Sequence, residues 1–263
     1  TITPLQRPAN ITKPFFTEAE AQAYEKEVVA RNNADVRTQG ASDVGTAYND
    51  FWYNRGDQVV PSLRTSLIVD PPDGRVPALT DYGRKLQAER AELRRQRGPA
   101  DGPESRSLAE RCIVWPTGGP PMVSSFYNNN YQILQTPGTV VLYSEMLHDA
   151  RVINLDGRPH ISQNIHLWMG NSVGHWEGNT LVVETAGLSP KTMLTGDVPA
   201  GQNFHVSERM YLDDQQKLNV ESILTAPDAL TGPYKISMRY KRLPDKNYML
   251  AEYVTDCDHA DRA

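Results

Sequence analysis

The stretch that most constrains the fold is WMGNSVGHWEGNTLVVETA, residues 168–186. Two β-rich runs flank Glu177-Gly178-Asn179, which predicts an antiparallel hairpin. Leu181, Val183 and Thr185 share one face of the outgoing strand, with Val182 and Glu184 on the other. On the incoming strand Gly170, Ser172, Gly174 and Trp176 fall together. A strip of small side chains ending in an indole calls for close packing, either against a ligand or against another chain segment such as Phe51 or Trp52.

Similar short runs continue on both sides. Ser66 to Val69 precedes a Pro-Pro-Asp-Gly turn; residues 132–135 and 139–145 flank Thr136-Pro137-Gly138; residues 150–154 follow. Beyond the hairpin, residues 204–212 and 217–225 flank Asp213-Asp214-Gln215, and residues 234–242 and 249–254 flank a Pro244–Asn247 turn. A meander of roughly eight to ten strands usually closes on itself, because closure removes exposed edges. The pattern therefore predicts a mainly β protein, an up-and-down antiparallel, calycin- or lipocalin-like barrel over residues 111–258.

Residues 1–110 read as an arm wrapped on that barrel. Thr17 to Glu20 forms a capping-box pattern and starts a helix over about 17–32; Thr80 starts a second over about 81–97, with arginines in its last turn. The aromatic cluster Tyr48-Asn-Asp-Phe51-Trp52-Tyr53 either staples the arm down or lines a pocket mouth. Apolar content here is too small for a separate core, so residues 1–263 are expected to form a single domain.

Composition excludes some classes. No apolar run approaches the roughly 18–20 residues of a membrane helix. A formal charge of −5 argues against a nucleic-acid binder, whose phosphate contacts need a basic face. Cys112 and Cys257 are the only cysteines and make no CxxC motif; they are two thiols in a cytosolic protein or one disulfide in an exported one. Opening at Thr1, without an initiator Met or a leader, fits a mature or trimmed chain.

The segments YNDFWYNRG, RTSLIVDPPDGRVPALT, YNNNYQILQTPG and WMGNSVGHWEGNTLVVET together resemble a widespread family of exported bacterial proteins carrying a WxGxSxGxWEGxTLVV motif. The likeness runs from about Tyr48 to Cys257; the family's usual form has aspartates where this chain has Asn171 and Asn179. It implies a periplasmic or secreted location and a Cys112–Cys257 disulfide, and it transfers no mechanism.

Candidate chemistry comes from the β half. Gly170 to Gly174 spells GxSxG, but a nucleophile elbow needs a strand-turn-helix, and here a hairpin follows. His148, His160, His166, His175 and His205 match no compact zinc spacing, although strands can gather distant ligands. Glu145, Glu184, Glu208, Glu221 and Glu252 lie in or beside β runs; any that face inward become buried acids suited to proton transfer, whereas facing outward Glu208 and Glu252 merely pair with Arg209, Arg239 or a lysine, the commoner arrangement. The first expectation is an exported enzyme doing cofactor-independent acid/base chemistry, of lyase, isomerase or cyclase type, on a small, partly apolar molecule. Glu145, His160 and His205 would move protons; Tyr131, Tyr143, Trp168, Ser172 and Trp176 would shape the pocket; Arg151 would hold an anionic group. The alternatives are a non-catalytic binding protein using the same cavity, and a histidine-ligated metalloenzyme. No cofactor, membrane span or nucleic-acid partner is expected, and the oligomeric state is open.

Overall fold

A computed structural model describes residues 1–36, 49–98, 101–125, 128–162, 164–192 and 198–250. Among the described residues, two α-helices, α1 (Glu18–Asn32) and α2 (Asp81–Gln96), accompany nine strands. These are β1 (Ile68–Asp70), β2 (Tyr131–Thr136), β3 (Thr139–Ser144), β4 (Ala150–Asn154), β5 (Asn171–Glu177), β6 (Thr180–Ala186), β7 (His205–Leu212), β8 (Leu218–Thr225) and β9 (Tyr234–Tyr240). All nine belong to one sheet, in the order β1-β9-β8-β7-β6-β5-β4-β3-β2.

The expected barrel needs correcting in two respects. Among the described residues no backbone ladder joins the terminal strands β1 and β2, so the sheet is open. It is also mixed: β4 and β5 run parallel, with Ile153 opposite Ser172, because residues 155–170 carry the chain back before β5 begins. The other neighbours pair antiparallel, and the predicted β5–β6 hairpin is present with Trp176 opposite Leu181. Side chains do reach across the opening: the Tyr131 and Tyr240 rings meet edge to face at 5.6 Å. Of the last expected strand, Met249 is exposed and joins no strand among the described residues, and residues 251–254 lie outside them.

Strand alternation decides which face is buried. Val140, Leu142, Ile153, Val183, Val206, Met210, Val220, Leu224, Tyr234, Ile236 and Met238 all point to one side and are almost wholly removed from water. Each such side chain contributes about 1.5–3 kcal/mol of burial, against the entropy of ordering it. The arm is fastened to this sheet by backbone bonds, Ile68 N donating to Leu5 O at 3.0 Å and Leu67 N to Pro4 O at 2.9 Å. Buried Arg7 reinforces the junction by donating from Nε to Thr65 Oγ1 at 2.9 Å.

Both helices start where expected. In α1 the Thr17 hydroxyl accepts from the Glu20 amide, while the Glu20 carboxylate accepts from the Thr17 amide at 2.8 Å. In α2, Thr80 Oγ1 accepts from Gly83 N at 3.0 Å. A Cβ on Gly83 would lie 2.2 Å from the Ala229 carbonyl oxygen, so only glycine lets α2 approach the β8–β9 connection this closely.

Candidate functional site

The buried face carries a polar strip that alternation alone would make apolar. Arg151 and Ile153 are the inward positions of β4, and Arg151 is 2 % exposed. Its Nε donates to Ser172 Oγ at 3.0 Å and its Nη2 to Thr185 Oγ1 at 2.8 Å. The same Nη2 forms a short ion pair with Glu208, which is 0 % exposed and also accepts from Ser222 Oγ at 3.2 Å. Arg151 Nη1 has no hydrogen-bond partner among the described residues. Nearby, Tyr131 donates to the Thr117 carbonyl at 2.7 Å and Tyr240 to the Met122 carbonyl at 2.9 Å. Burial pushes both phenols above their usual range, and the Glu208 charge adds to this.

The structure thus gathers Arg151, Ser172 and Tyr131 around one buried strip. Thr185, Glu208 and Ser222 complete it. For Glu208 the sequence allowed either facing, an inward acid or an outward partner of Arg209, Arg239 or a lysine, and the strand turns it inward; Thr185 and Ser222 carry no signal beyond alternation. The ring of hydroxyls and the carboxylate satisfy most of the guanidinium, which is what keeps a buried charge tolerable.

The three residues expected to move protons occupy separate places. Glu145 follows the end of β3, where the chain turns out of the strand, and its helical backbone (φ −64°) tucks the side chain into full burial. Asn130 Nδ2 donates to its Oε2 at 2.6 Å and the Tyr248 hydroxyl to its Oε1 at 2.5 Å. His160 Nδ1 lies 3.2 Å from Asn171 Oδ1 in the β4–β5 connection. His205 Nε2 lies 2.6 Å from Glu184 Oε2 on the opposite, outer face of the sheet, where Ser207 Oγ also donates to Glu184 at 2.7 Å. Among the described residues no three His, Cys, Asp or Glu side chains come together as a metal-ligand set. No helix among them is long and apolar enough to cross a membrane.

The pocket-shaping residues also separate. Tyr143 is on the outer face, its ring 6.2 Å from that of His148. Trp176 sits at the hairpin tip and is 47 % exposed. The Gly170-Ser172-Gly174 strip is filled by protein: a Cβ on Gly174 would lie 2.8 Å from the Val182 carbonyl oxygen, 3.0 Å from Ile153 Cγ2 and 3.3 Å from Leu155 Cδ2. Neighbouring β4, rather than Phe51, which is 85 % exposed, takes that space. The Trp52 side chain, Cys257 and Glu252 lie outside the described residues.

Trp168 leads to a different place. It lines a cleft of about 550 Å³ between the C-terminal half of α2, residues 104–121 and residues 188–192. Trp115, Leu108, Val114, Pro121 and Leu188 make its apolar lining. One wall is tied to the next by Arg90, whose guanidinium donates to the Pro190 carbonyl. Ser107 and Glu110 form a reciprocal pair of side-chain-to-backbone bonds at 2.8 and 3.2 Å, fixing the turn that carries Leu108 and Ala109. Trp115 Nε1 and Ser105 Oγ belong to residues of this lining, but both atoms are covered by protein and have no hydrogen-bond partner among the described residues. The volume falls within the usual range for small-molecule sites, on the order of 300–1,000 Å³. Comparison with protein-family models, curated proteins and solved structures finds no match.

Proposed function

We propose that this protein binds a small, partly apolar molecule, and that the cleft beside Trp115 and Trp168 is where it does so. The observation that carries this reading is a cleft of about 550 Å³ whose largely apolar lining includes two indoles. Binding is favoured over acid/base catalysis because Glu145, His160 and His205 each engage different partners in different parts of the fold. The proposed setting is the periplasm or cell exterior, which rests on the family resemblance and on the Cys112–Cys257 pair. Intact mass measured with and without reductant tests that pair; a mass unchanged by reduction removes it.

The cleft reading is tested by melting the protein against a panel of soluble aromatic and alicyclic compounds. Binders should raise the melting temperature of the native protein and fail to raise that of Ala109→Trp, which fills the cleft. A shift that persists in the folded variant would place the ligand elsewhere.

A further inference from the structure

We infer that β2 is a docking edge for a second copy of this chain, the two β2 strands pairing antiparallel about Leu134. The sheet has two terminal strands, and the chain treats them differently. Beside β1, Leu67 N and Ile68 N donate to the carbonyls of Pro4 and Leu5, so the arm covers that edge. At the other end β2 pairs with β3 alone among the described residues, and Gln132 to Thr136 are all exposed. In an antiparallel pair every second residue turns its N–H and C=O away from the neighbour, so β2 presents a row of unmet backbone groups. None of the usual protections interrupts that row. The strand holds no charge and no proline, and its register with β3 runs without a bulge from Tyr131–Ser144 to Thr136–Thr139.

Charge and side-chain placement identify the occupant. From Cys112 to Ser144 the chain carries no charged residue, although charged residues make up 22% of the whole. A copy of the same edge therefore sets no like charges against each other. A two-fold axis normal to the sheet keeps like faces together, and it centres the ladder on one residue that meets its own copy. On the outer face Leu134 lies opposite Val141, and Val141 opposite Val152, an apolar row that runs out to the edge. Leu134 and Val152 are 46% and 48% exposed. With Leu134 on the axis, this row joins its copy into one apolar band across both sheets, and Gln132 meets the partner's Thr136. The same register leaves out Tyr131, whose ring already meets Tyr240. A ladder of this length is small beside the roughly 1,200 Å² of a stable interface, so the expected dimer is weak and concentration-dependent.

Sedimentation equilibrium of the full chain over a range of concentrations tests this. The native chain should pass from monomer to dimer and stop there, because the covered β1 edge offers no second attachment. Leu134→Lys and Leu134→Glu should each remain monomeric wherever the native chain dimerises. An equimolar mixture of the two should dimerise again, since residue 134 opposes residue 134. Ile223→Lys, at an exposed outer-face position of β8, should dimerise as the native chain does. A native chain that stays monomeric at every concentration overturns the self-pairing and leaves the edge to an extended segment of another protein. A dimer that survives Leu134→Lys overturns the edge assignment. Single variants that are monomeric but do not combine overturn the register about Leu134. Melting curves of each variant confirm that lost association is not a lost fold.

Discussion

Glu208 and Arg209 are consecutive residues of β7, and the sheet places them in opposite surroundings. Glu208 faces the buried side and pairs with Arg151, both almost fully removed from water. Arg209 faces outward and pairs with Glu177 at 2.9 Å, each about half exposed. Further outer pairs flank it, Lys235 with Glu221 and Arg239 with Asp213, both at 2.6 Å. The charges are alike; the dielectric is not. Outside, water screens each ion and the pairing changes little. Inside, neither ion can be left alone, so the hydroxyls of Ser172, Thr185 and Ser222 are as necessary as the partner charge.

The largest expected effect comes from breaking the inner pair. Glu208→Ala should cost about 3–5 kcal/mol in urea unfolding, because Arg151 stays buried without its counter-ion. The double variant Arg151→Met, Glu208→Leu should recover most of that loss. If the double variant is as unstable as the single one, the pair serves more than charge balance.

Next comes the glycine strip on the same buried side. Gly174→Leu forces a side chain into Ile153, Leu155 and the Val182 carbonyl, and overpacking of this kind costs about 1–3 kcal/mol. Unchanged stability would mean that β4 can withdraw, reopening the strip to a ligand.

On the outer face, Arg209→Ala should leave the unfolding midpoint within experimental scatter in both low and high salt. A salt-dependent loss would show that the outer ions act as a network.

The smallest effect concerns pH. Backbone hydrogen bonds from Lys217 and side-chain bonds from Arg239 lower the Asp213 carboxyl to about 2. A folded pKa below the unfolded value means that this group's contribution is complete above the unfolded pKa of 3.8 and fades as pH falls through about 2. Asp213→Asn should flatten the acid limb of the stability profile only in that window, and a carboxyl titration midpoint near the ordinary value would refute it. The Tyr131 and Tyr240 phenols have the opposite sign: raised by burial, they stabilise below pH 10 and lose that contribution at higher pH.

What the sequence determined by itself is everything that depends on neighbours a few positions apart. Alternation in Thr180-Leu-Val-Val-Glu-Thr185 and the Gly-Asn break were enough for the β5–β6 hairpin, and Thr17 with Glu20 was enough for the first helix start. Those signals are local because strand pleat and helix capping are local. The tertiary structure alone decided the rest. Whether the sheet closes, and that β4 meets β5 in parallel, depends on the path of residues 155–170, which have no periodicity to read. That Arg151 meets Glu208 across 57 positions follows from strand order, not from either residue's neighbourhood. The cleft is built from the end of α2 and irregular segments whose only sequence signals were a helix end and a proline-flanked turn. Convergence of distant segments is paid in chain entropy and settled by packing, and neither leaves a mark on short stretches of sequence.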